Sequence, residues 1–117
     1  MSAVCLLLSD DLLDASRVVG HGRAVGVTVV QCRTAEVLSA AAARDPACVI
    51  LDLHNPGLDV TAIAGRFHEA GVRVVGFGSH VDFARLKAAR QAGCEEVLPR
   101  SAFFEDLEGK LAKWAAR

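Results

Sequence analysis

Three aspartates follow two of the apolar runs in this sequence, and their placement indicates phosphate or metal chemistry. Asp52 lies near the end of the apolar run 49–53, and Asp10 and Asp11 follow the run 4–8. In an open parallel sheet, ligands bind just outside the carboxyl ends of the strands, so acids at these points are placed for chemistry. The alternative for each acid is a structural role as a loop or helix cap.

Alternating strand and helix patterns position these acids. The apolar runs predict five short strands, at residues 4–8, 27–30, 49–53, 72–77 and 95–98. Helical spacing predicts five helices, at about residues 12–23, 34–44, 60–70, 82–92 and 101–117. Ser101 is the predicted N-cap of the last helix, and Leu107, Leu111 and Trp114 are its predicted buried stripe.

Strands that alternate with helices favour right-handed crossovers and a parallel sheet. We therefore predict one domain over residues 1–117, a three-layer, doubly wound (βα)5 α/β fold of the flavodoxin-like type. The common strand order for five strands is 2-1-3-4-5, which places a crevice between strands one and three. That order brings Asp10, Asp11 and Asp52 together, although they are far apart in sequence.

Composition excludes several classes of function. The 117 residues include 13 Lys plus Arg and 14 Asp plus Glu, a net charge of −1, so nothing indicates a nucleic-acid or anionic-membrane surface. No apolar run approaches the roughly 18 residues of a membrane span, and we expect a cytoplasmic protein. The four cysteines have no CxxC spacing and are expected to be structural thiols: Cys5, Cys32, Cys48 and Cys94.

Three carboxylates in one crevice repel each other unless a cation is present. Mg²⁺, or Mn²⁺, satisfies this need because it takes one or two carboxylates, a carbonyl oxygen and several waters, and it accepts phosphate oxygens. We expect Asp10, Asp11 and Asp52 to be the acidic ligands and the main chain of His54 to supply the carbonyl. With the ion bound, Asp52 can attack a phosphorus atom as a nucleophile.

Two further groups complete the expected phosphate site. Ser79 and the backbone amides of residues 78–80 follow strand four and can donate hydrogen bonds to phosphoryl oxygens. A cation from the end of strand five, where Arg100 lies, would complete the cage.

These features together resemble the receiver domain of bacterial two-component response regulators. The resemblance covers the whole chain and is carried by Asp10-Asp11, residues 52–59 (DLHNPGLD), Ser79 and residues 93–100 (GCEEVLPR). It implies that Asp52 is the phosphoacceptor, that Asp10 and Asp11 bind the metal ion, and that Ser79 moves towards the phosphate. The implied donor is a sensor histidine kinase or a phosphotransfer protein. The implied role is a phosphorelay signalling domain, with phosphoryl transfer and autodephosphorylation at its own site, and not an enzyme.

Two departures from the family pattern concern the same site. The family's lysine after strand five is Arg100 here, and the proline that follows it is Ser101. Arginine is planar and does not replace a compact ammonium ion, so we expect it to clamp Asp52 or the phosphate, or to project outward. In the family, the hydroxyl after strand four moves and an aromatic ring on strand five follows it inward. Val97 stands at the position of that aromatic residue, so this coupling lacks its ring.

Alternative functions remain open. The first is a pseudo-receiver, a phosphorylation-independent interaction module that binds a downstream protein through the face of helix four, strand five and helix five. A homodimer, a stand-alone domain and a fragment of a longer regulator are all compatible with the sequence. A flavodoxin-like cofactor binder is disfavoured because Asp10 and Asp11 would repel a phosphate. A hydrolase is disfavoured because Ser79 and His80 are adjacent and form no triad by themselves.

Overall fold

The computed structural model describes residues 2–117, which form a five-stranded parallel sheet with helices on both faces. The strands are β1 (Ala3–Leu8), β2 (Val27–Cys32), β3 (Cys48–Asp52), β4 (Arg73–Gly78) and β5 (Glu96–Pro99). The helices are α1 (Leu12–Ala24), α2 (Ala35–Ala41), α3 (Val60–Glu69), α4 (Phe83–Gln91), α5 (Arg100–Phe104) and α6 (Leu107–Ala115), and a 3₁₀ turn (Ala42–Arg44) follows α2.

The strand order is β2-β1-β3-β4-β5, and every neighbouring pair is parallel, so the predicted fold class and order are confirmed. Because β1 and β3 are neighbours, the loops that follow them meet at one edge. We call this edge the carboxyl rim: the carboxyl ends of β1, β3, β4 and β5 and the loops after them. All the site residues predicted from the sequence lie at or near this rim.

Alternation along the strands divides the core into two layers. Successive side chains of a strand point to opposite faces, so each buried strand supplies both layers. One layer packs the sheet against α1, α5 and α6 and includes Leu7, Ile50, Phe77, Val18, Phe103, Leu111 and Trp114. The other packs the sheet against α2, α3 and α4 and includes Leu6, Leu51, Leu38, Ala64, Phe67, Leu86 and Ala89.

The carboxyl-terminal helix differs from the prediction. We predicted a single helix capped by Ser101, whereas the structure has two helices, and α5 begins at Arg100 without a side-chain cap. The break lies at Asp106, which adopts a left-handed conformation (φ 47°) and accepts a hydrogen bond from the Gly109 N–H at 3.4 Å. Asp tolerates this conformation better than most residues and is a strong N-cap, so it ends one helix and begins the next. The buried stripe of Leu107, Leu111 and Trp114 is confirmed.

None of the helices formed by residues 2–117 has both the length and the apolar character needed to cross a bilayer. The longest, α1, has 13 residues.

Candidate functional site

Asp52 is the last residue of β3 and is only 7% exposed. Its Oδ2 atom accepts a hydrogen bond from the Ser9 hydroxyl at 2.8 Å, and its Oδ1 atom accepts one from the His54 N–H at 3.0 Å. Both donors are neutral. The carboxylate of Asp52 is therefore held by the protein itself, without a cationic side chain bonded to it.

Ser9 is a site residue that the sequence analysis missed. It follows β1 directly, and the pairing of Leu8 with Leu51 places it beside Asp52 on the neighbouring strand. The position of Ser9 in the sequence could have identified it. The first residue after one strand lies beside the residue at the same level of the neighbouring parallel strand, which here is Asp52. The position opposite Asp52 is thus occupied by a hydroxyl and not by one of the two predicted acids.

The two acids that follow Ser9 have different roles. The Asp11 carboxylate accepts a hydrogen bond from the Asp14 N–H at 2.9 Å and is the N-cap of α1. The Asp10 side chain is exposed, and its backbone N–H donates to the Asn55 side-chain oxygen at 2.8 Å. Asp11 therefore caps α1 through one carboxylate oxygen, and such a cap stabilises a helix by about 1 kcal/mol.

The structure does not bring the three predicted acids together as one group of metal ligands. Among residues 2–117, no group of three or more His, Cys, Asp or Glu side chains lies close enough together to hold a metal ion. The Asp11 carboxylate is turned to its helix, and one oxygen of Asp52 faces the Ser9 hydroxyl. The assignment of Asp10, Asp11, Asp52 and the His54 carbonyl as Mg²⁺ or Mn²⁺ ligands stays a prediction from the sequence.

The His54 imidazole joins the loops after β3 and β4. Its Nε2 atom accepts a hydrogen bond from the Ser79 N–H at 3.1 Å, so in this arrangement the ring is neutral and carries its proton on Nδ1. The Ser79 hydroxyl in turn accepts a long bond of 3.4 Å from the Val81 N–H. The Ser79 N–H, which we predict as a donor to phosphoryl oxygens, is therefore already bonded to the His54 ring. The sequence analysis assigns a site role only to the main chain of His54.

Arg100 does not clamp Asp52, because its guanidinium forms a two-pronged ion pair with Asp14 of α1. The Asp14 side chain is only 3% exposed, whereas that of Arg100 is 48% exposed. Hydrogen bonds to Asp14 raise the pKa of Arg100 against the opposing effect of burial, so the guanidinium stays charged. The cation expected to complete the phosphate cage is therefore bound to a different carboxylate.

Asp14 was also missed in the sequence analysis. It lies one helical turn before the buried Val18, on the face of α1 that packs on the sheet. An acid at a core-facing position of a helix needs a cationic partner, because burying an unpaired carboxylate is costly. That rule could have identified Asp14 as paired, although not the partner, which lies 86 positions away.

Comparison with known proteins rests on structure alone, since no family model matches the sequence and no curated protein matches it. A response regulator from Thermotoga maritima superposes with a TM-score of 0.82 at 13% identity, covering 100% of both chains. A receiver domain from Clostridium thermocellum gives 0.79 at 19% identity, covering 97% of this chain and 94% of the other. A signal receiver domain from Colwellia psychrerythraea gives 0.81 at 17% identity, covering 96% and 97%.

This chain has the fold of a response-regulator receiver domain. The predicted resemblance to that fold is confirmed over the whole chain, whereas identities this low carry no information about individual site residues. Two pairs hold the carboxyl rim of this chain: Ser9 with Asp52, and Asp14 with Arg100.

Proposed function

We propose that this receiver-fold chain is a non-enzymatic signalling module that binds a protein partner without accepting a phosphoryl group on Asp52. The observation that carries the proposal is the ion pair between Arg100 and the buried Asp14. Removing Arg100 from this pair to serve a phosphate would leave a buried carboxylate unpaired, which costs about 2–3 kcal/mol after allowing for the half-exposed Arg100.

The surroundings of Asp52 support the same proposal. A phosphoryl group brings further negative charge to the Asp52 carboxylate, and a nearby cation must offset that charge for the product to be stable. The donors that contact Asp52 are a hydroxyl and a backbone amide, both neutral. Asp52 then acts as a structural acceptor that ties β3 to the residue after β1.

Phosphoryl acceptance is the second candidate. It is favoured by the position of Asp52 at the carboxyl end of β3 and by Ser79 directly after β4. In this candidate the donor is a sensor histidine kinase or a phosphotransfer protein, and Mg²⁺ or Mn²⁺ supplies the cation when bound. Arg100 is paired with Asp14, and its charge also interacts with those of Asp11 and Asp52.

Both candidates share a location and a type of partner. A receiver fold is used in cytoplasmic signalling, and we propose a bacterial, cytoplasmic setting for this one. The downstream partner proposed from the sequence binds the face formed by α4, β5 and the predicted fifth helix, which is α5 and α6 in the structure, and a homodimer is compatible with the same role.

Intact-mass measurement after incubation with acetyl phosphate and Mg²⁺ separates the two candidates. We expect no gain of a phosphoryl group at saturating donor, while a receiver domain known to accept phosphate from this donor is labelled in parallel. A phosphoryl gain that persists in Asp59→Asn and disappears in Asp52→Asn would contradict the proposal. Asp59 is a matched control because it lies in the same loop and is exposed.

A further inference from the structure

Two of the four cysteines lie side by side in the core. Cys5 of β1 and Cys48 of β3 are paired in register on neighbouring parallel strands, and both belong to the layer packed against α1, α5 and α6. Their thiols share a hydrogen bond. Cys32 and Cys94 belong to the opposite layer, at or next to the two edge strands β2 and β5. Within residues 2–117, Cys5 and Cys48 are therefore the pair that can react with each other.

The spacing of β1 and β3 suits a bond between these two sulfurs. Neighbouring strands lie about 4.8 Å apart. The Cα atoms of a disulfide are usually about 4.4–6.8 Å apart, so the strands need not rearrange to form one. Its Cβ atoms lie closer together, at about 3.8 Å, so the bond would pull the two strands towards each other. A strained disulfide is reduced more easily than a structural one, and this bond would therefore be reversible.

The surroundings of the two thiols give them different roles. The hydrogen bond from Cys48 lowers the pKa of Cys5 against the opposing effect of burial, and the charge of Arg73 lowers it further. The same hydrogen bond and burial raise the pKa of Cys48. The thiolate is the nucleophilic form of cysteine, so Cys5 is the first to react and Cys48 keeps its proton until the second step.

Burial decides which oxidant can reach the pair. Both cysteines are 0% exposed, which excludes direct attack by a bulky disulfide or a protein. Cys48 is the first residue of β3, and its neighbours Ala47 and Arg73 line a pocket of about 310 Å³ at the amino ends of β3 and β4. Local opening costs less at the ends of an element than at the centre of the core. A small hydroperoxide can therefore enter where larger oxidants cannot.

We propose that Cys5 and Cys48 form a reversible disulfide when a hydroperoxide, such as hydrogen peroxide, oxidises the protein. The Cys5 sulfur attacks one peroxide oxygen, the O–O bond breaks, and the leaving hydroxide takes up the Cys5 proton as water, so that a sulfenic acid remains on Cys5. The Cys48 sulfur then attacks the Cys5 sulfur, the S–O bond breaks, and the hydroxyl leaves as water with the Cys48 proton. Two thiols thus lose two electrons and two protons, and the peroxide is reduced to two molecules of water.

The thiol pair lies on the same two strands as Ser9 and Asp52. Alternate residues of a strand share a face, so one pair of aliphatic side chains separates the Cys5–Cys48 level from the Ser9–Asp52 level. The disulfide would join β1 and β3 at the end opposite the carboxyl rim. Its formation needs no phosphoryl transfer, so the inference goes beyond the proposed function and is tested without any phosphodonor.

Thiol counting on the folded full chain after treatment with hydrogen peroxide tests the proposal. All four cysteines are free thiols, and we expect alkylation after unfolding to find two of them lost and to find all four restored by dithiothreitol. Trypsin places each cysteine on its own peptide, residues 1–17, 24–33, 45–66 and 91–100. The non-reduced digest should contain peptide 1–17 joined to peptide 45–66.

Three results would overturn the proposal. The first is that all four thiols survive a peroxide concentration that oxidises free cysteine. The second is that a different pair of peptides is joined. The third is that Cys5 or Cys48 is converted to a sulfinic or sulfonic acid, which dithiothreitol does not reduce. Each result is read from the wild type, so the test does not depend on how well any variant folds.

Matched variants and a bulky oxidant locate the reaction. Cys5→Ala and Cys48→Ala should each abolish the joined peptides, whereas Cys32→Ala combined with Cys94→Ala should still lose both of its remaining thiols. Oxidised glutathione at the same concentration should leave the thiols of the folded wild type unchanged. Loss of two thiols that persists in Cys5→Ala, or glutathione attached to Cys5 or Cys48, would contradict the proposed pair and its selectivity for a small oxidant.

Discussion

Asp52 and Asp14 are two buried carboxylates near the same rim, and the protein satisfies them in different ways. Asp52 accepts hydrogen bonds from two neutral donors, the Ser9 hydroxyl and the His54 N–H. Asp14 is paired with the guanidinium of Arg100. A cation next to Asp52 would favour transfer of an anionic group to it, whereas a cation next to Asp14 stabilises the packing of α1 against the start of α5. The difference shows that the one cationic side chain bonded to either carboxylate neutralises Asp14 and leaves Asp52 with neutral donors.

Arg100→Ala should have the largest effect on stability. It leaves the Asp14 carboxylate buried without its cation, and we expect the free energy of unfolding to fall by about 2–3 kcal/mol, less than for a fully buried pair because Arg100 is half exposed. Urea denaturation measures the change. Arg23→Ala, an exposed arginine without an ion pair, is the control. A loss below about 0.5 kcal/mol, the usual range of a surface substitution, would show that the pair does not stabilise the fold.

The Arg100 effect should not depend on pH across the alkaline range. The pKa of Arg100 is raised above its already high ordinary value by its bonds to Asp14, so its contribution to stability is fully present throughout the pH range below that ordinary value. The difference in unfolding free energy between wild type and Arg100→Ala should therefore be the same at about pH 7 and about pH 10. A difference that shrinks over this interval would mean that another group, titrating there, holds Asp14.

Ser9→Ala should have an intermediate effect. It removes the hydroxyl donor from a buried carboxylate, and we expect a loss of about 1.5–2 kcal/mol, the lower part of the range for hydrogen bonds to charged groups. Ser101→Ala, at an exposed hydroxyl, is the control. Thermal unfolding followed by circular dichroism suffices. If Ser9→Ala matched the control in stability, the bond between Ser9 and Asp52 would not hold β1 and β3 together.

Asp52→Asn should have the smallest effect, below about 1 kcal/mol, because an amide oxygen still accepts a hydrogen bond and no cation loses its partner. Asp14→Asn should cost more, because it removes the charge that Arg100 pairs with. The two variants are compared by urea denaturation in one buffer. A larger loss in Asp52→Asn than in Asp14→Asn would reverse the assignment of the two carboxylates.

The sequence predicts the architecture well because burial leaves a strong local pattern. The continuous apolar runs of β1 and β3 and the polar residues after them locate the strands, and the topology then brings Asp52 to the rim. The break at Asp106 was missed because Glu105 and Asp106 are also good residues for the first turn of a helix. Only the left-handed conformation at Asp106 distinguishes the two possibilities.

The site was less predictable, since its decisive contacts join distant residues. Arg100 and Asp14 are 86 positions apart, and the sequence offers Arg100 several carboxylates at the same rim. The choice depends on side-chain reach and on the burial of Asp14, neither of which is local. The role of the His54 ring was missed for a similar reason, because the ring accepts a hydrogen bond from the Ser79 N–H across two loops, 25 positions away.

The central claim is that neutral donors of the protein itself occupy the Asp52 carboxylate, and measuring Mg²⁺ binding tests this claim most directly. In isothermal titration calorimetry of the wild type, we expect no saturable heat at millimolar Mg²⁺, because Asp11 caps α1 and Asp52 is held by neutral donors. Asp52→Asn is titrated in parallel and should behave identically. Saturable Mg²⁺ binding by the wild type that Asp52→Asn abolishes would contradict the account and restore Asp52 as part of a metal and phosphate site.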